Sequence, residues 1–209
     1  LVFKRISMTA DGNCFVYPHG SYGTNYEGRV YVNRWNGSAW IETHIDCPVG
    51  NTFGYDEDNQ YFGYEYLSIS PDGNYIASTT TFYSGNHVHI INIYKYSSNN
   101  WERKYAINLG IYGYRMNLRF NNNSSGLVLS SVGPPNNTDP YVEVYTMNNN
   151  GELSIKGSRV TRNDLYFGVE LYLNDDMTRF IASSYSTVYV YNYNGSGWTQ
   201  GTTISTTGI

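Results

Sequence analysis

The sequence predicts an all-β protein, a β-propeller of four four-stranded antiparallel blades. Three observations carry this expectation. A strand–turn–strand pattern recurs four times along the chain. The segments that follow it alternate apolar and polar residues at period two. No stretch combines helical periodicity with caps. Composition agrees: only 14% of the 209 residues are charged, 17% are aromatic and 23 are Tyr. A disordered chain would be charge-rich and aromatic-poor, and a helical bundle would be rich in Ala, Glu, Lys, Leu and Arg. A net charge of −4 argues against a nucleic-acid footprint. No apolar run approaches the ~20 residues of a membrane-spanning helix, so neither nucleic acid nor membrane insertion is expected.

The four segments are ISMTADGNCFVYP from Ile6, LSISPDGNYIASTT from Leu67, NLRFNNNSSGLVLSS from Asn117 and LYLNDDMTRFIASS from Leu171. Each reads as strand a, a polar turn and strand b. Aligned on Phe15, Ile76, Val128 and Ile181, they are spaced 61, 52 and 53 residues apart. An alternating aromatic strand c follows: RVYVNRW from Arg29, HIINIYKY from His89, YVEVYTM from Tyr141 and TVYVYNY from Thr187. Asn, Gly and Ser turns then lead to strand d, which opens with Trp40, Trp101, Leu153 or Trp198. The units are read as one domain over residues 1–209, with blades near 1–50, 61–108, 112–160 and 166–206. A single sheet cannot bury both faces, whereas sheets stacked about an axis bury them all. Aromatics suit the widening gaps between blades, and small strand-b residues such as Ala77, Ser78, Ala182 and Ser183 suit a crowded interior. A closed four-bladed form is expected, with part of a longer array as the alternative.

Two blades carry a family signature. Phe62-Gly63-Tyr64 precedes LSISPDGNYIAS, and Phe167-Gly168-Val169 precedes IASS, VYVYNYNGSGW and Thr199-Gln200. This resembles the bacterial type of FG-GAP repeat, related to the blades of integrin α-chain propellers. The first unit keeps DGN and VYVNRWNGSAW without the Phe-Gly lead, and the third has Tyr112-Gly113-Tyr114 in its place. The resemblance implies an extracellular adhesion or recognition module. It does not extend to a calcium loop, because none of the four a–b turns has alternating oxygen ligands at D-x-D-x-D spacing. Asp and Gly there read as hairpin residues.

The b–c and d–a connections hold Tyr22, Tyr26, Tyr55, Tyr61, Tyr83, Tyr112 and Tyr114 on one expected long-loop face. Tyr offers a rigid contact surface with a polar tip, which suits a protein or glycan partner. Asp56 and Asp58 are weak cation candidates, and His19, His87 and His89 weaker zinc candidates. No cofactor is expected. No nucleophile elbow, Cys–His pair or phosphate loop is present, so the chain is read as non-enzymatic. Cys14 falls on an inner strand and Cys47 just past an outer one; those strands are not neighbours, so both are expected to be free thiols. Glycosylation sequons occur at Asn36, Asn122, Asn123, Asn136 and Asn194. The expected function is an extracellular, cell-surface or virion-surface module that binds a protein partner. A glycan-binding lectin and a metal-dependent propeller enzyme are the alternatives.

Overall fold

Period-two alternation with turn residues between the runs draws the described residues into strands joined by turns. The computed structural model describes residues 6–19, 28–48, 60–83, 87–111, 115–132, 140–164 and 166–205. Residues 60, 61, 63–65, 82, 83, 87, 110, 111, 115, 116 and 132 are described by backbone alone. The strands are β1 (Ser7–Met8), β2 (Cys14–His19), β3 (Arg29–Trp35), β4 (Trp40–Asp46), β5 (Gln60–Ile69), β6 (Tyr75–Tyr83), β7 (His87–Ser97) and β8 (Asn100–Ile111). They continue as β9 (Arg115–Phe120), β10 (Gly126–Val132), β11 (Tyr141–Met147), β12 (Leu153–Ile155), β13 (Val160–Thr161), β14 (Leu171–Leu173), β15 (Arg179–Ser183), β16 (Thr187–Tyr193) and β17 (Trp198–Ser205). They form four antiparallel sheets in simple up-and-down order: β1–β4, β5–β8, β9–β12 and β14–β17. There is no helix among the described residues. The protein is all-β, with blade-like sheets of the β-propeller class. Two compact units each hold two sheets, residues 1–112 and 113–209.

One turn design closes all four a–b hairpins. The first turn residue (Thr9, Ser70, Asn121 or Asn174) accepts, through its side-chain oxygen, the backbone N–H that opens strand b, at Cys14, Tyr75, Gly126 or Arg179. The third (Asp11, Asp72, Asn123 or Asp176) accepts the N–H two residues on, at 3.0–3.1 Å. The fourth has positive φ and is Gly12, Gly73, Ser124 or Met177. Gly is the unstrained choice there, and the Ser and Met in the third and fourth turns explain why no DG pair marks them. These bonds align Phe15 and Ile76 with Leu127 and Phe180, one residue before the Val128 and Ile181 chosen from sequence. A one-residue slip exchanges the two faces of a strand, so Leu127 and Phe180, not Val128 and Ile181, share the face of Phe15 and Ile76.

The turn carboxylates respond to acid. Bonds donated by the Thr9 hydroxyl and the Asn13 N–H hold Asp11 below the usual carboxylate range, and Thr178 does the same for Asp176. A lowered folded-state pKa stabilises the fold above the unfolded value, about 3.9, and that contribution is lost as pH falls through the folded value. Melting temperature should therefore fall below about pH 4, and the Asp11→Asn/Asp176→Asn double variant should flatten that fall. Thermal melts across that range check it, and equal slopes would refute the assignment.

Within each unit, one sheet presents an aliphatic face to an aromatic face of the next. We term these the forward and rear faces. In the first unit, Cys14, Val16, Val30 and Val32 pack on Phe62, Ile76, Tyr94 and Trp101. In the second, Val128, Val142 and Val144 pack on Phe167, Phe180, Tyr191 and Trp198. The turns are linked too, by Ala10 N–H to Pro71 O at 3.2 Å and by Asn122 N–H to Asp175 Oδ1 at 3.2 Å. A cation closes each junction on the aromatic pair flanking the c–d turn. Arg34 lies 4.0 Å from the Tyr96 ring centroid and 5.3 Å from that of Trp101, and donates to Gly73 O. Lys156 lies 4.7 Å from the Tyr193 centroid, while Trp198 Nε1 donates to Lys156 O at 2.9 Å.

Two expectations needed correction. Strand d of the third blade is split into β12 and β13, both paired with β11, because residues 156–159 bulge out between them. The second blade is longer than the sequence suggested. Tyr61 pairs with Thr81 and Tyr83 with His87, so these two tyrosines lie in β5 and β6, not in loops. The β-branched run Thr79–Thr81 opposite Ile91, Ile90 and His89 sustains the extra pairing.

Candidate functional site

The rear face of the first sheet is built from three strands. β2 alternates buried Cys14, Val16 and Pro18 with half-buried Phe15, Tyr17 and His19. β3 sends Val30 and Val32 forward and Tyr31 rearward. β4 is largely exposed and places Trp40, Glu42 and His44 on the same side. Their rings touch in a continuous row. Phe15 meets Trp40 edge-on at 5.0 Å, Tyr17 stacks on Tyr31 at 5.3 Å, and His19 meets Tyr31 edge-on at 5.7 Å. His44 lies 6.1 Å beyond Tyr31, and Trp35 lies 5.6 Å from Trp40.

Polar groups run along the row. Tyr17 donates its hydroxyl to Glu42 Oε2 at 2.9 Å, and Asn33 Nδ2 donates to the same oxygen at 3.4 Å. Desolvation, and then the Glu42 bond, push the Tyr17 phenol above its usual range, so it stays a neutral donor. Arg29 Nε sits 2.7 Å from Asp46 Oδ1 at the far end. Trp35 and Trp40 are 41% and 46% exposed. Their counterparts Tyr96 and Trp101 are capped by Arg34, whereas no described cation lies over the Trp35–Trp40 pair. The surface is therefore aromatic, partly exposed and edged with the carboxylates of Glu42 and Asp46.

Sequence reasoning assigned strand-c aromatics to packing between blades and did not single out this face. The signal was available in Trp40 together with Phe15, Tyr17 and Tyr31 at period two, but only burial shows that the face is open. Of the tyrosines expected to make contact, Tyr22, Tyr26, Tyr55, Tyr112 and Tyr114 lie outside the described residues, and so do Asp56 and Asp58. The side chains of Tyr61 and Tyr83 lie outside them too.

The histidines do not converge. His19 belongs to the first sheet's rear face, while His89 is wholly buried on the second sheet's forward face, 3.0 Å from Thr81 Oγ1. The side chain of His87 lies outside the described residues. No three His, Cys, Asp or Glu come together among the described residues. Cys14 and Cys47 form no disulfide, and burial raises the Cys14 thiol above its usual pKa.

The sequons divide by what their amides do. Asn36 and Asn194 sit in exposed c–d turns and use Oδ1 to accept from Ser38 and Ser196. Asn122 and Asn123 spend Nδ2 on Tyr172 Oη at 2.9 Å and on Asp175 O at 2.8 Å. Asn136 lies outside the described residues.

No family model matches the chain, and no curated protein matches it. Solved structures do. A complex of KlAtg21 with the coiled coil of AgAtg16 matches over 96% of this chain and 57% of its own, at 15% identity and a TM-score of 0.62. A structure of prolyl endopeptidases matches over 95% of this chain and 29% of its own, at 14% identity and a TM-score of 0.56. The likeness is one of fold, the β-propeller. A functionally unknown protein from Desulfotomaculum acetoxidans also matches, over 97% of this chain and 70% of its own, at 12% identity and a TM-score of 0.49. The chain thus spans little more than half of the first structure and under a third of the second. Among the described residues, no helix is long and apolar enough to cross a membrane.

Proposed function

We propose that this chain is a non-enzymatic interaction module of FG-GAP type, extracellular or on a cell or particle surface, that binds a protein partner. The observation that carries this reading is the open aromatic rear face of the first sheet, on which Trp35 and Trp40 are exposed at 41% and 46%. Large rigid aromatics over a polar rim are the chemistry of protein recognition hot spots. The long-loop tyrosines of the expected loop face belong to the same reading. Phe62 and Phe167 support the finer family likeness, since each fills the core between two sheets from the Phe-Gly position. KlAtg21, similar in fold, is itself seen in complex with a coiled coil. If the module is secreted, Asn36 and Asn194 are the sequons placed to carry glycans, because modifying Asn122 or Asn123 would break bonds between blades.

A lectin is the second reading, favoured by Tyr17 and Tyr31 beside Glu42. The two part in one experiment. The native protein is cross-linked in its source, alongside a folded Tyr17→Ser/Trp40→Ser variant. Protein recognition predicts a protein adduct reduced at least about tenfold in the variant. An adduct equally strong in both, or a Trp fluorescence shift on titrating oligosaccharides, would contradict it.

A further inference from the structure

The positive-φ position of the a–b turns is Gly in the first and second sheets and Met177, at φ +53°, in the fourth. A methionine is strained there and a glycine is not, so the sequence gives up backbone stability at this position. The thioether shows what is gained. A Cβ built on Gly126 would collide with Met177 Sδ and come within 2.8 Å of Tyr145 O, so the sulfur fills the place of a side chain at Gly126. Met177 also packs against the core between the third and fourth sheets.

The first unit closes the same junction the other way round. Cys14 and Arg34 stand at the register of Gly126 and Thr146. There the bulk comes from the earlier sheet and the later turn is bare. A Cβ on Gly73 would meet Thr9 Cγ2 at 3.1 Å and the terminal nitrogens of Arg34 at 3.6 Å. In the second unit the earlier sheet is bare, at Gly126, and the bulk comes from the later turn, at Met177. Exchanging large for small on both sides keeps the gap filled. The exchange also replaces a guanidinium with a thioether, which is soft and oxidisable.

We infer that Met177 is a modification site, an oxidisable plug whose sulfoxide loosens the contact between the third and fourth sheets. Met177 is half-buried in a turn whose Asp175, Asp176 and Thr178 are exposed, within reach of a small hydroperoxide. The sulfur gives an electron pair to the terminal peroxide oxygen and the O–O bond breaks. The proton of the transferred oxygen passes to the leaving oxygen, which departs as water or an alcohol. The sulfur is oxidised by two electrons and the peroxide is reduced. The sulfoxide brings an acceptor oxygen to a place with no donor to spare. The Gly126 N–H is already given to Asn121 Oδ1, and Tyr145 presents a carbonyl oxygen.

The test compares the full chain with Met177→Leu and Met177→Gly by thermal melts before and after peroxide treatment, with oxidised positions read by peptide mass spectrometry. Met177→Gly should melt about 3 °C or more below the wild type, because lost packing outweighs the relieved φ. Met177→Leu keeps the apolar bulk and should melt near the wild type. Peroxide should oxidise Met177 in the folded wild type and lower its melting temperature by a similar amount, with recovery on treatment with a methionine sulfoxide reductase. Met177→Leu should hold its melting temperature under peroxide, although Met8, 60% exposed, is oxidised in both proteins. A Met177→Gly variant as stable as the wild type would show that Met177 is a turn residue alone and would overturn the inference. So would an equal loss under peroxide in Met177→Leu, which places the sensitivity at another methionine, or a Met177 that is oxidised only after unfolding.

Discussion

Gly168→Ala should destabilise the protein by about 3–5 kcal/mol, combining overpacking with a disfavoured backbone conformation. Gly168 holds φ at +89°, where an L side chain is strained. An added Cβ would overlap Ser130 Cβ and come within 2.9 Å of its Oγ. Neither partner can move freely. Gly168 N–H donates to Ser183 O at 2.8 Å, and its carbonyl accepts from Ser130 Oγ at 2.6 Å. The glycine of the Phe-Gly pair is thus required by the close approach of the neighbouring sheet. Adding Ser130→Gly removes the steric half of the penalty and not the φ half, so the double variant should recover part of the loss. Denaturant midpoints for the three proteins check this. A Gly168→Ala variant as stable as the wild type would mean that the two sheets do not meet here.

Phe167→Ala should cost a similar amount, about 3–5 kcal/mol, by leaving a cavity between the third and fourth sheets. Phe167 is wholly buried. Its ring lies edge-on to Tyr189 at 5.7 Å and to Tyr191 at 6.1 Å, so truncation removes aromatic contacts as well as volume. For a chain of this length the melting temperature should drop by roughly 10 °C or more. Phe167→Leu keeps most of the volume and should cost less than half as much. Phe62→Ala should repeat the effect in the first unit, where the same ring fills the same place beside Tyr94. A loss below about 1 kcal/mol at either position would show that the site collapses around the smaller side chain.

The strands and turns were legible because their signals are local. Period-two alternation marks Arg29–Trp35 and Thr187–Tyr193, and Asn-Gly-Ser marks the c–d turns that follow these two strands. The role of Asp11 and Asp72 as turn acceptors was legible for the same reason. The third and fourth a–b turns were aligned one residue off, because Ser124 and Met177 hold the positive φ that Gly holds elsewhere. The second sheet's extra length was missed because Tyr61 and Tyr83 look like loop residues until their pairing is seen. The candidate face was hidden for a different reason. Phe15 and Phe180 occupy one position in the repeat, and sequence treats them alike. Which of them is covered depends on what packs against each sheet, a non-local property that no residue pattern within one blade encodes.

The claim on which the proposed function rests is that the first sheet's rear face is an exposed aromatic surface, while Ile76 and Phe180, at the position of Phe15, are buried. Hydroxyl-radical footprinting of the isolated chain, read residue by residue by mass spectrometry, tests this most directly. Trp35, Trp40, Tyr17 and Tyr31 should oxidise readily, while Tyr94, Trp101 and Tyr191 stay protected until the protein unfolds. If Trp35 and Trp40 are as protected as Trp101 in the isolated chain, the face is already covered and the account is wrong.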